Sequence, residues 1–272
     1  IGRMLKAKVV MPDGVKVATG EGVPQGGPLS PLLSNIVLDE LDRELSRRGH
    51  RFVRYADDCN IYVRSERAGQ RVMASVTRFI ERRLRLKVNV SKSAVARPEE
   101  RHFLGFRLRR APLDGTVDVL LSERSTERLA TRIRELTPRT WGSSVKECIH
   151  QVNVYSGGWL GFFRICTQAT SNLSNADAHI RRRLRMIQLK HWKRRRTMVR
   201  KLTALGAKLS TARRAIYGGH RSLWALSHIP AVERALSPSY WARRGLVSIE
   251  QEWRSYTQAR AASGRQQLLP WR

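Results

Sequence analysis

Acidic residues are scarce in this chain of 272 residues: 22 Asp and Glu stand against 52 Lys and Arg, a formal net charge of +30. A compact fold tolerates that much self-repulsion mainly when a polyanion neutralises it, so nucleic acid is the expected partner. Cysteine is scarcer still. Cys59, Cys148 and Cys166 lie far apart with no Cys-x-x-Cys pair, which excludes a disulfide framework and a zinc site of the usual spacing. A reducing interior is the compartment this implies. Apolar runs are short: none approaches the roughly 18 residues a membrane span needs, and the first residues do not follow the signal-peptide pattern. No membrane partner is expected. Internal repeats and low-complexity tracts are also missing. What the chain does have is core material, 41% hydrophobic residues and seven Trp, more than a small ribosomal or histone-like binder carries.

Within that basic background, Tyr55-Ala56-Asp57-Asp58 places two adjacent carboxylates between Phe52-Val53-Arg54-Tyr55 and Cys59-Asn60-Ile61-Tyr62-Val63. Both flanks are rich in β-branched and aromatic residues and read as the arms of a tight hairpin. A turn needed only for reversal is better served by Asn-Gly or Asp-Gly, because tandem acids repel each other. A divalent cation removes the conflict, and Mg²⁺ is usually held by one or two carboxylates together with substrate phosphates. The competing reading is a solvated acidic turn.

The surrounding pattern predicts an α+β layout. Lys8–Met11 and Val15–Ala18 flank a Pro12-Asp13-Gly14 turn. A helix is predicted from an N-capping Ser30, with Leu33, Ile36, Val37, Leu41 and Leu45 inward, to a terminating Gly49. A second helix is predicted over 67–85, carrying Val72, Val76, Phe79, Ile80 and Leu84. Strands follow at 87–90 and 103–109, the latter turning at Asp114-Gly115 into Val117–Leu121. Beyond Ser122 the pattern is helical: a helix with Leu129, Ile133 and Leu136, another opened by the capping box Ser144-x-x-Glu147, an Asn/Ser-rich loop after Phe163, and a long basic helix over 176–204. From Arg181 to Lys201, 11 of 21 residues are Lys or Arg, and no acid occurs from Ala178 to Val232. A charge run is ordinarily a solvated face, but one this dense and uncompensated favours a polyanion.

Taken in order, Pro24-Gln25-Gly26-Gly27, Tyr55-Ala56-Asp57-Asp58, Asn89-x-x-Lys92-Ser93 and Phe103-Leu104-Gly105-Phe106 resemble the group II intron-encoded reverse transcriptase/maturase. The resemblance implies a partial polymerase palm, an antiparallel sheet with helices on one face, followed by a mainly helical thumb/maturase domain. The expected boundaries are 1–112, 113–215 and a basic C-terminal region at 216–272. It implies Asp57 and Asp58 as catalytic metal ligands for a two-Mg²⁺ site acting on dNTP substrates. Tyr55, Ala56, Lys92 and Gly105 are then expected to lie by nucleotide and primer, and Pro24, Gln25 and Gly26 by the template. Arg181, Arg182, Arg183, Arg185, Lys193, Arg194, Arg195 and Arg196 are the expected intron-RNA grip. Trp192, Trp224 and Trp241 are candidates for base stacking, with packing as the competing role. A DNA target or primer, a homodimer, and a cytoplasmic, nucleoid-associated setting in a bacterial cell or organelle complete the implied picture.

One departure bears on activity. The family takes a further aspartate from a strand upstream of the Gln-Gly loop, whereas before Gly22 this sequence offers only Asp13 and Glu21. The fingers and first palm strand have no counterpart, so the sequence is expected to be the C-terminal part of a longer protein. No His-Asn-His-type nuclease module is present either. Two readings follow: an RNA-directed DNA polymerase with maturase function, and a non-catalytic intron-RNA-binding splicing cofactor.

Overall fold

The computed structural model describes residues 9–10, 16–17, 29–111, 115–219 and 222–262. They fall into two units, Ile1–Arg97 and Pro98–Arg272.

In the first unit, β1 (Val9–Val10) and β2 (Lys16–Val17) pair antiparallel with Val9 opposite Val17. The Pro12-Asp13-Gly14 turn expected between them lies outside the described residues, as do Pro24, Gln25 and Gly26. Helix α1 (Ser30–Arg47) is capped at Leu29, which makes no side-chain cap bond, so Ser30 stands inside the helix and not at its cap. Gly49 ends it as expected. At φ +71° it forms a Schellman turn, its N–H donating to the Ser46 carbonyl at 2.9 Å and that of His50 to the Leu45 carbonyl at 3.0 Å.

The buried stripe of α1 is Leu38, Leu41 and Leu45. Ile36 and Val37, expected inward, are exposed, because the stripe that meets the neighbouring elements begins at Leu38. Strands β3 (Arg51–Tyr55) and β4 (Asp58–Tyr62) form a complete five-pair antiparallel ladder. Helix α2 (Glu66–Arg82) opens at Ser65, whose hydroxyl accepts the Ala68 N–H at 3.3 Å, and it stops short of the expected end, with Arg85 at φ +55°. Phe52, Cys59, Ile61, Val72, Phe79, Ile80 and Leu84 close over Leu38, Leu41, Leu45 and Val76 as one core. Each fully buried Leu of that kind contributes about 1.5–3 kcal/mol. No strand forms at 87–90. Asn89 turns the chain instead, its Oδ1 accepting from the Ser91 hydroxyl at 2.8 Å and the Lys92 N–H at 3.2 Å.

The second unit opens with β5 (Phe106–Arg110) paired to β6 (Val117–Leu121). Then come α3 (Glu123–Leu136), α4 (Val145–Phe163), α5 (Thr170–His191), α6 (Arg195–Ala204) and α7 (Leu209–Tyr217). Short helices α8 (Leu223–Leu226), α9 (Pro230–Ala235) and α10 (Pro238–Ala242) lead to α11 (Ile249–Ala262). Ser122 and Ser144 cap α3 and α4 as predicted, accepting from Ser125 and Glu147 N–H at 3.2 and 3.1 Å.

Two expectations are corrected here. The Asn/Ser-rich stretch after residue 170 is helix, because Leu173, Asp177, Ile180 and Leu184 supply a buried stripe that overrides weak intrinsic propensity. The long basic helix is two helices: Lys193 at φ +54° breaks it, and α6 turns Met198, Val199 and Leu202 into the core. Among the described residues the strands pair as three two-stranded antiparallel sheets, in keeping with the expected α+β fold.

Candidate active-site hairpin and nucleic-acid interface

The β3–β4 ladder runs to Tyr55 opposite Asp58, leaving Ala56-Asp57 as a two-residue turn. Ala56 sits at φ +53°, a left-handed conformation that an L-residue without a side-chain hydrogen bond of its own adopts at a cost. Asp57 and Asp58 are exposed, and among the described residues neither carboxylate takes a hydrogen bond or ion pair. Two hard oxygen donors with no competing cation suit Mg²⁺ as part of a ligand set. Among the described residues no third acidic or imidazole group joins them.

Behind the turn lies a residue that motif reading passed over. Alternation along β3 and β4 sends Phe52, Cys59 and Ile61 into the core, and Arg54, paired to Cys59, shares that inner face with an 11% exposed side chain. Its Nε and Nη2 donate to the Asp42 carboxylate, Nε at 2.8 Å; its Nη1 donates to Asn35 Oδ1 at 3.0 Å and to the Ala56 carbonyl at 2.8 Å. The hydrogen bond to Asp42 raises the already high Arg54 pKa, so the cation is permanent. Burial foremost pushes the Cys59 thiol up to about 11, which leaves it an inert packing group. The signal was present in the sequence as an arginine at an inward position of an alternating strand.

Lys92 lies exposed in the Asn89 turn. Gly105 belongs to the second unit, where Leu104 and Gly105 at φ +52° and +84° make a tight reversal between Phe103 and Phe106. A Cβ on Gly105 would come within 2.6 Å of Ser125 Oγ and 3.1 Å of the Phe163 ring. Its carbonyl accepts from Ser125 Oγ at 2.9 Å. Packing of the chain on itself is thus one demand that this position places on a glycine.

The basic segment divides into two groups. Arg183 and Arg185 are buried. Arg183 donates from Nε to the Thr137 hydroxyl at 2.8 Å and from Nη2 to the Thr137 and Arg134 carbonyls, closing the end of α3. Arg185 bonds Glu233 at 2.8 Å and the Leu236 carbonyl at 3.2 Å. Burial lowers the pKa of both. Both guanidiniums are thus engaged inside the fold through two of their three nitrogens. Arg182 is half-buried, its guanidinium 4.0 Å from the centre of the Trp224 ring, so that ring is already engaged. Trp241 is fully buried, with Nε1 donating to the Leu236 carbonyl, and Trp192 packs on the core. Arg181 is half-buried. Lys193, Arg194, Arg195 and Arg196 are exposed, and Arg200, Lys201, Lys208, Arg213 and Arg214 add to them on α6, on α7 and between the two.

A metal-suited acid pair on a hairpin and an uncompensated basic helical region are features of a template-directed nucleotidyltransferase. Residues 3–108 match the family described as reverse transcriptase (RNA-dependent DNA polymerase), and residues 126–204 match the group II intron maturase-specific domain. The chain belongs to the group II intron reverse transcriptases/maturases. The Escherichia coli (strain K12) protein YkfC is 30% identical to it, over 34% of this chain and 33% of the relative. The chain thus spans about a third of the length of that curated relative. No helix among the described residues is long and apolar enough to cross a membrane.

Proposed function

We propose that the polypeptide carrying this chain is an RNA-directed DNA polymerase that also acts as the splicing maturase of its group II intron. The supporting observation is the exposed, unpaired Asp57-Asp58 pair on a turn held in an uncommon conformation. Asp57 and Asp58 would hold Mg²⁺ with a further carboxylate from a strand that the family places upstream; the metal, when bound, would supply activation of a primer hydroxyl and stabilisation of phosphoryl charge. Tyr55 and Ala56 then flank primer end and nucleotide, and the small Ala56 leaves room for both. Lys193 to Arg196, with Arg200 and Lys201, meet intron RNA phosphates.

The test is Asp57→Asn in a polymerase that joins this chain to the strand bearing the third carboxylate. Mg²⁺-dependent cDNA synthesis is expected to fall by about a hundredfold or more, with RNA affinity unchanged. Synthesis at the unsubstituted rate would overturn the proposal.

A second reading, a non-catalytic intron-RNA-binding cofactor, is favoured by one observation: no third ligand joins the acid pair among the described residues. Splicing unaffected by Asp57→Asn, in a protein without any cDNA synthesis, would select it.

A further inference from the structure

Arg54 and Asp42 are charged residues set into apolar stripes. Arg54 occupies an inward position of β3 next to Phe52, and Asp42 lies on α1 between Leu41 and Leu45. Taking such a pair out of water costs several kcal/mol per ion before their attraction offsets it, and an apolar pair of similar volume is often as stable or more so. With the Arg54 side chain 11% and that of Asp42 28% exposed, the pair is only partly withdrawn from water, and its net stabilisation is small.

What an apolar side chain cannot supply is the third set of bonds. The planar guanidinium carries five donors in a fixed fork. Here that fork holds three groups at once: Asp42 and Asn35 on α1, and the Ala56 carbonyl in the turn. The Ala56 carbonyl belongs to the peptide plane that ends at the Asp57 nitrogen. With the preceding plane fixed by the Tyr55–Asp58 pair, fixing this one restricts the backbone rotations of Ala56, which lies at φ +53°, and sets the direction in which the next residue leaves the turn. Without such a hold, a left-handed alanine relaxes toward commoner conformations.

We infer that Arg54, anchored by Asp42 and Asn35, is a positioning residue that holds the Ala56-Asp57 turn and so aims the Asp57 and Asp58 carboxylates. The inference rests on reading those carboxylates as the metal-holding pair. Arg54 touches neither metal nor substrate; it acts through the turn. Lysine cannot replace it, because a single ammonium on a flexible stem does not reach the acid, the amide and the turn carbonyl together.

The experiment uses the polymerase that carries this chain, with Arg54→Lys and the double variant Arg54→Met/Asp42→Leu. The double variant removes both charges, so the space beside the core stays filled and no half-buried carboxylate is left without its partner. Hydrogen exchange of the segment 55–58 is measured without metal, and cDNA synthesis is titrated with Mg²⁺. The double variant is expected to melt at or above the unsubstituted temperature, yet to exchange this segment about tenfold faster. Its kcat is expected to fall about ten- to a hundredfold with the template KM unchanged, and its Mg²⁺ midpoint to rise. Arg54→Lys is expected to show the same pattern more weakly. Exchange and Mg²⁺ midpoint equal to those of the parent protein would overturn the inference. Asp57→Asn, run alongside, separates the two failures. If it leaves synthesis intact, the metal reading falls and the exchange result alone judges the hold of Arg54 on the turn. If it abolishes synthesis while the double variant behaves as parent, only the positioning role falls.

Discussion

The guanidinium of Arg183 closes the C-terminus of the helix at Glu123–Leu136, its Nε donating to the hydroxyl of Thr137 at 2.8 Å across 46 residues of sequence. A few residues further along the same basic run, Arg194, Arg195 and Arg196 face water. The two groups are therefore expected to fail in different ways.

Arg183→Met leaves the Thr137 carbonyl without its donor and takes one bond from the Thr137 hydroxyl and one from the Arg134 carbonyl, which keep the Ile133 carbonyl and the Thr137 N–H as partners. Buried unsatisfied groups cost about 1–3 kcal/mol. A urea titration should show that loss, while the salt dependence of RNA binding by the folded protein stays as it was. A flatter salt dependence would place Arg183 on the RNA surface instead.

Replacing Arg194, Arg195 and Arg196 with Gln should do the reverse. Folding stability changes little, and the slope of log affinity against log salt flattens by about two to three units if these side chains meet phosphates. An unchanged slope would mean that they form only a solvated face, with Arg200 and Lys201 the next positions to test.

His179 provides a pH dependence. Burial foremost, then the charges of Arg183, Arg134 and Arg182, hold its imidazole pKa below the ordinary 6.5. The folded state binds this proton less tightly than the unfolded chain does. The stability present above 6.5 is therefore lost as pH falls from 6.5 through the lowered folded value. Urea midpoints on either side of that window should show His179→Gln losing less stability on acidification than the parent. Equal losses would mean that the imidazole escapes to solvent on protonation.

Three glycines lie within the helix at Val145–Phe163. A Cβ at Gly157, Gly158 or Gly161 would meet nothing within 4 Å. Alanine at each should raise stability by up to about 1 kcal/mol, because glycine loses the most backbone entropy on entering a helix. Thermal melts of the single variants check this, and an unchanged or lower Tm would count against it.

Parts of this architecture were legible because the information is local. The acid-tipped hairpin announced itself through its turn residues and its β-branched and aromatic flanks, and the Ser122 and Ser144 caps were written within four residues of the helices they begin. What escaped depends on distant partners. Nothing near Arg183 or Arg185 in sequence distinguishes them from Arg181 or Arg196; their burial is decided by Thr137 and Glu233, 46 and 48 residues away. The break at Lys193 has no glycine or proline to mark it, since core contacts of Met198, Val199 and Leu202 impose it. Arg54 was missed for another reason. The tetrapeptide beside it drew the reading outward to chemistry, while its own role lies on the inner face.

The exposed cations from Lys193 to Lys201 place opposing demands on the solution around the protein. Added electrolyte shields their mutual repulsion and so favours the compact free chain. The same electrolyte reduces the counterion release that would drive the proposed RNA binding. Conditions that preserve the purified protein are thus those in which the proposed grip on RNA is weakest. Moving it from a high-salt store to a low-salt assay should be done with RNA already present, so that phosphates take over from the dissolved anions as the salt is withdrawn.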